Sequence, residues 1–146
     1  MKVKFLDIGA TYRELKKEIN QAINGVLKGG WYILGKNVSL FEKEFAHYCG
    51  VKYCVGVGNG MDALELILRT YNIGSGDEVI VPANTYIATV LVVDIVGATP
   101  VPVEPDLATY NLDPKKLEKA ITKKTKAVMA VHLYGQCADI KEIEKI

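Results

Sequence analysis

Apolar residues recur at helical spacing over 13–28, where Leu15, Ile19, Ala22, Ile23, Val26 and Leu27 share a face. Gly29 and Gly30 stop that helix. An aromatic, glycine-flanked loop, GGWYILGKN, follows. A second helix is predicted over 38–49, with Phe41, Phe45 and Tyr48 on one side and Gly50 at its end. The period then changes. A short β-rich run is predicted at 53–57, a helix at 61–71, a turn at 74–76 and a strand at 78–81 closed by Pro82. An apolar helix at 86–96 and a strand at 99–103 come next. Asp113 and Pro114 form an N-cap and first-turn pair for a helix reaching residue 121, before a strand at 127–132.

Strands separated by helices imply crossover connections and a mostly parallel sheet covered on both faces. The predicted fold is α/β, a three-layer α/β/α core behind a helical N-terminal arm. The arm and its loop take residues 1–50 and the core residues 51–146. Ile140, Ile143 and Ile146 repeat every three residues, and no helix stop follows them. The pattern is therefore read as the N-terminal part of something longer.

Composition narrows the function. Of 146 residues, 49% are hydrophobic and 24% charged, as in ordinary globular chains. Lys plus Arg number 18 and Asp plus Glu 17, a net charge of +1, so no single-sign field exists to hold nucleic acid or an anionic membrane. The most apolar stretch, 87–103, is broken by Asp94, Gly97 and two prolines, and falls short of the roughly 20 apolar residues of a membrane helix. Cys49, Cys54 and Cys137 form no C-x-x-C pair, which leaves no metal site and makes a reducing, cytoplasmic compartment the expectation.

The candidate chemistry sits at strand ends. VGVGNGMDAL, residues 55–64, reads as strand, glycine turn and helix start. Gly58 and Gly60 let a ligand approach the backbone, and the helix opening at Met61 offers unpaired N–H groups that suit a phosphate. The pattern is neither a Walker loop nor a dinucleotide fingerprint, and a tight turn without a ligand explains the glycines equally well. VPANTYIAT, residues 81–89, puts Tyr86 at the carboxyl end of a strand, where it can stack on a flat ring or serve as a core tyrosine with Asn84 or Thr85 as the helix cap. VHLYGQ puts His132 at another strand end. A flat aromatic phosphate is the simplest ligand using all three.

GWYILGKNVSLFEKEFAHYCGVKY, GNGMDAL, GDEVIVPANTYIAT, GATPVPVE, YNLDP and VHLYGQCADI together resemble the DegT/DnrJ/EryC1/StrS family of sugar aminotransferases, from about Phe5 to the last residue. The resemblance implies the fold type I large domain of pyridoxal 5′-phosphate transferases, in part. It implies transfer of an amino group from glutamate to a nucleotide-linked keto-sugar, in a homodimer with shared active sites. Asn59, Gly60 and Met61 would then hold the cofactor phosphate, Tyr86 would stack on its ring, and Trp31, Tyr32 and Leu34 would lie at the substrate mouth. The family's D-x-x-Q aspartate and its Schiff-base lysine are expected beyond Ile146, so no catalytic residue is assigned within the chain. Lys123, Lys124 and Lys126 read as a solvated turn, and Glu104 and Asp106 as turn residues. Two other readings stay open: a dehydratase or deoxygenase of the same fold with histidine for the lysine, and a non-catalytic nucleotide- or phosphate-binding module.

Overall fold

The structure, a computed structural model, describes residues 3–146. The chain divides into two compact units, the first ending at Gly56 and the second spanning Val57–Ile146.

The first unit is helical. Helix α1 (Gly9–Gly29) starts before the predicted boundary and carries a kink at Leu15. Gly30 ends it in the left-handed conformation at φ 66°, a position where glycine carries no Cβ penalty. Helix α2 (Lys36–Cys49) closes the same way on Gly50, at φ 68°. The apolar stripes that identified both helices stay largely in solvent. Phe41, Phe45 and Tyr48 are exposed; Phe41 stacks on Phe45 with centroids 5.4 Å apart, and Tyr48 lies tilted against Phe45 at 6.1 Å. Ala46 is the one buried residue of α1 and α2.

The end of the first unit brings a correction. The predicted strand at 53–57 does not form; among the described residues the sheet has three strands, none of which includes these positions. A strand is stable only when its N–H and C=O groups meet a ladder, and no described strand pairs here. Tyr53 and Val55 stay about three-quarters exposed, and Gly56 N–H donates instead to Glu42 Oε1 at 2.8 Å.

Helix α3 (Gly60–Thr70) leads to strand β1 (Glu78–Pro82), helix α4 (Ile87–Ile95), strand β2 (Thr99–Val103), helix α5 (Pro114–Ala120), strand β3 (Thr125–Val128) and a short helix α6 (Ile140–Ile143). The sheet order is β2-β1-β3, all parallel, as the alternation predicts. β3 is shorter than predicted and shifts register beside Glu78, so His132 lies in the loop after it and not at its end. Pro100 and Pro102 are tolerated because β2 is an edge strand. The alternate residues bond the chain flanking β1 instead: Thr99 N–H donates to Asp77 O and Val103 O accepts from Ala83 N–H, both at 2.9 Å.

Alternation along β1 builds both faces of the core. Val79 and Val81 pack with Leu68 of α3 and Val92 and Val93 of α4. Ile80 points the other way, to Val103, Leu112 and Leu117 of α5. This is the three-layer α/β/α arrangement. Each fully buried aliphatic side chain contributes about 1.5–3 kcal/mol of transfer free energy. Asp113 caps α5 as predicted, Oδ1 accepting from Lys115 N–H at 2.9 Å, with Pro114 in the first turn.

Candidate functional site

Helices α3 and α4 pack side by side in the same sense. The loops that end them touch: a Cβ on Gly74 would lie 3.4 Å from Val96 O, and one on Gly97 would lie 3.7 Å from Ser75 N. Their lengths, 11 and 9 residues, are similar. Their N-termini therefore share the opposite end, at the carboxyl edge of β1. That geometry brings the turn at 58–61 to the same edge as Tyr86, where open α/β sheets bind ligands.

The turn itself differs from a row of bare amides. Asn59 is the N-cap of α3, and its Oδ1 accepts from Met61 N–H at 2.8 Å and Asp62 N–H at 3.0 Å. The positive end of α3 is thus partly satisfied by the chain's own side chain. Gly60 keeps the open position. Nothing lies within 4 Å of where its Cβ would be, and no acceptor for its N–H occurs among the described residues. At Gly58, by contrast, the Asp62 carboxylate stands 2.6 Å from where a Cβ would be. The hollow beside the turn, about 390 Å³, is lined by Asp62 and Glu65 and so suits no anion; the open side of Gly60 does.

Tyr86 is the N-cap residue of α4 and is about three-quarters exposed, so its ring is free to stack. It is not a core tyrosine, and neither Asn84 nor Thr85 caps the helix. Thr85 Oγ1 pairs with Thr89 Oγ1 at 3.0 Å, and Asn84 Nδ2 donates to Tyr110 O at 3.0 Å. His132 is exposed; its Nδ1 accepts from Ala138 N–H at 3.0 Å, which leaves the proton of the neutral ring on Nε2. Asp106 turns inward on its own loop. The N–H groups of Thr109 and Ala108, both 3.0 Å from Oδ1, hold its carboxyl below the usual carboxylate range.

In the first unit, Trp31, Tyr32 and Leu34 are all exposed. Trp31 Nε1 donates to Ile33 O at 2.6 Å, and Leu34 takes the left-handed φ of 49°. Gly35 is tight against this loop, its Cβ position 3.1 Å from Trp31 Cδ1 and 3.3 Å from Trp31 O. The loop borders a hollow of about 820 Å³ between α1 and the start of α2.

Residues 13–146 match the DegT/DnrJ/EryC1/StrS aminotransferase family. The chain belongs to that family. It is 59% identical over 144 residues to the dTDP-3-amino-3,6-dideoxy-alpha-D-galactopyranose transaminase of Aneurinibacillus thermoaerophilus, covering 99% of this chain and 40% of that protein. Its fold superposes on S. venezuelae DesV with a TM-score of 0.95 at 53% identity, over 99% of this chain and 39% of that one. Against the PMP form of the sugar aminotransferase Spr1654 of Streptococcus pneumoniae the TM-score is 0.85 at 38% identity, over 90% and 33% of the two chains. The chain thus spans one-third to two-fifths of the length of these relatives. Among the described residues no cluster of metal-ligating side chains occurs, the three cysteines are unpaired, and no helix is long and apolar enough to cross a membrane.

Asn111, which sequence reasoning passed over as part of a motif, is 2% exposed and bonded through every polar atom. Its one sequence signal is a polar residue directly before an apolar residue and a helix cap.

Proposed function

We propose that the chain supplies the phosphate- and ring-binding part of a pyridoxal 5′-phosphate-dependent enzyme that moves an amino group from glutamate to a nucleotide-linked keto-sugar. The observation that carries the reading is the shared edge of α3 and α4, with an open N–H at Gly60 and an unburied ring at Tyr86. Family membership supports it, as does the name of the Aneurinibacillus relative, a transaminase of a dTDP-linked amino sugar.

In this reading Gly60 N–H donates to the cofactor phosphate where no Cβ obstructs approach. Met61 N–H joins it once Asn59 Oδ1 turns away. Tyr86, exposed at the start of α4, would stack on the pyridine ring and help hold the cofactor. Pyridoxal phosphate, when bound, is the electron sink for the amino-transfer chemistry. Trp31, Tyr32 and Leu34 contribute apolar surface for the sugar nucleotide. The protein works as a homodimer, which matches the apolar faces that α1 and α2 leave exposed. The Schiff-base lysine belongs to none of the lysines assigned here, so residues 1–146 bind the cofactor without transaminating.

Titration of pyridoxal phosphate onto the chain tests the reading. Tyr86→Ala is expected to weaken binding about tenfold, the worth of a good aromatic contact. Equal affinity for both proteins would refute the stacking role. A borohydride-stable cofactor adduct mapped to one lysine within 1–146 would refute the assignment of the lysine elsewhere. The complete gene product, given glutamate and a dTDP-linked keto-sugar, is expected to release 2-oxoglutarate.

A further inference from the structure

Three loops leave the carboxyl ends of the three strands, and two asparagines tie them together. Asn84, in the loop after β1, donates through Nδ2 to Tyr110 O, in the loop after β2. That bond alone orients the amide, because Asn84 Oδ1 is buried with no partner among the described residues. The next residue, Asn111, reaches the loop after β3: Oδ1 accepts from Leu133 N–H at 3.0 Å, and Nδ2 donates to Gln136 O at 3.2 Å. Its main chain is equally committed, N–H to Thr109 Oγ1 at 3.3 Å and O from Asp106 N–H at 3.0 Å.

The backbone between these bonds is held against its preference. Tyr110 has φ 58° and Tyr134 has φ 57°, left-handed values that bulky residues adopt only when their surroundings over-determine them. Tyr134 and Gly135, at φ 79°, are the central residues of a turn closed by Gln136 N–H to Leu133 O at 3.1 Å. Asn111 grips both ends of that turn. The Tyr134 ring then meets Tyr110 edge-on, with centroids 6.1 Å apart at 86°. Asn84 is two residues from Tyr86, so any shift of the Tyr110 carbonyl passes along a short, tethered segment.

We propose that Asn84 and Asn111 act as one latch, joined through the strained Tyr110 peptide, that positions Tyr86. Both are positioning residues; neither touches a reacting group. The part of this inference that concerns the ring rests on the cofactor reading above, while the coupling between loops does not.

The test is a double-mutant cycle on the complete gene product, with Asn84→Ala, Asn111→Ala and the double variant. Without cofactor, Asn111→Ala is expected to speed amide exchange across residues 85–89, and Asn84→Ala to speed it at Leu133. Exchange changes confined to each variant's own loop would overturn the latch. With pyridoxal phosphate, each single variant is expected to lose about tenfold in affinity, and the double variant to lose little more than the worse single, because contacts in one network do not add. Losses that multiply, or a lowered Tm with unchanged affinity, would also overturn it. If Asn111→Ala does not fold, Asn84→Asp serves, since it removes the same donor at similar size; unchanged exchange at Leu133 in that variant counts against the latch. A wild-type protein that fails to bind pyridoxal phosphate would refute the cofactor reading, and the exchange result would still decide the coupling.

Discussion

At the scale of single residues, the site is governed by which hydrogen bonds the chain has already made for itself. Asn59 is the clearest case. Its side chain takes two of the first N–H groups of α3, so it stabilises the free protein and competes with an incoming anion. Asn59→Ala is expected to cost about 1 kcal/mol of stability in phosphate-free buffer, the usual worth of a lost cap, read from urea unfolding. Inorganic phosphate should restore more stability to the variant than to the parent. Asp106 gives a pH signature. Its carboxyl is held low by Thr109 and Ala108 N–H groups, so on acidification the unfolded chain takes up this proton first. The stabilisation it provides is present above the ordinary carboxylate range and is lost as the pH falls through the lower native value. Asp106→Asn keeps an acceptor oxygen in the loop. It is therefore expected to flatten the dependence of the urea midpoint on pH between roughly 3 and 5, the range in which ordinary carboxylates titrate.

At the scale of elements, the difference between the strands that form and the one that does not is pairing. YCVGV, residues 53–57, and EVIVP read alike along the chain, yet only Glu78–Pro82 lies between two neighbours. Intrinsic preference for extended backbone cannot supply the missing ladder. Helix α5 shows the converse. It is short, and one apolar residue decides its value. Leu117 is fully buried against Ile80 and Leu112, whereas Ile121, just beyond the helix, is 42% exposed. Leu117→Ala is expected to cost about 2–5 kcal/mol in denaturant unfolding. Ile121→Ala is expected to fall within about 0.5 kcal/mol of the parent.

At the scale of the whole molecule, the second unit has its own two-faced core, and the first unit has almost none. Phe41, Phe45, Tyr48 and the 31–34 loop form apolar surface that α1 and α2 do not cover. Contiguous exposed apolar surface favours association. Sedimentation of residues 1–146 is expected to show a mass that rises with concentration. The paired substitutions Phe41→Glu and Phe45→Glu are expected to return it toward a single chain. A mass independent of concentration in the parent would count against this account of the exposed face.

Most of the fold was legible before any coordinates. Apolar period, glycine stops and the Asp113–Pro114 cap are local signals, so α1 to α5, β1 and β2 follow from short stretches of chain. The glycine turn and Tyr86 were legible for the same reason, with their neighbours in sequence carrying the pattern. Partnership was not legible. Whether residues 53–57 pair, whether Met61 N–H is free, which side of an apolar helix is covered and what Asn111 holds all depend on groups distant in sequence. Asn111 meets Leu133 and Gln136 across more than twenty residues, and no local period encodes that meeting. Sequence alone determined where the backbone turns and which residues prefer burial, because those are properties of neighbours. Only the tertiary structure decided which donors find acceptors, because a hydrogen bond needs both ends in place.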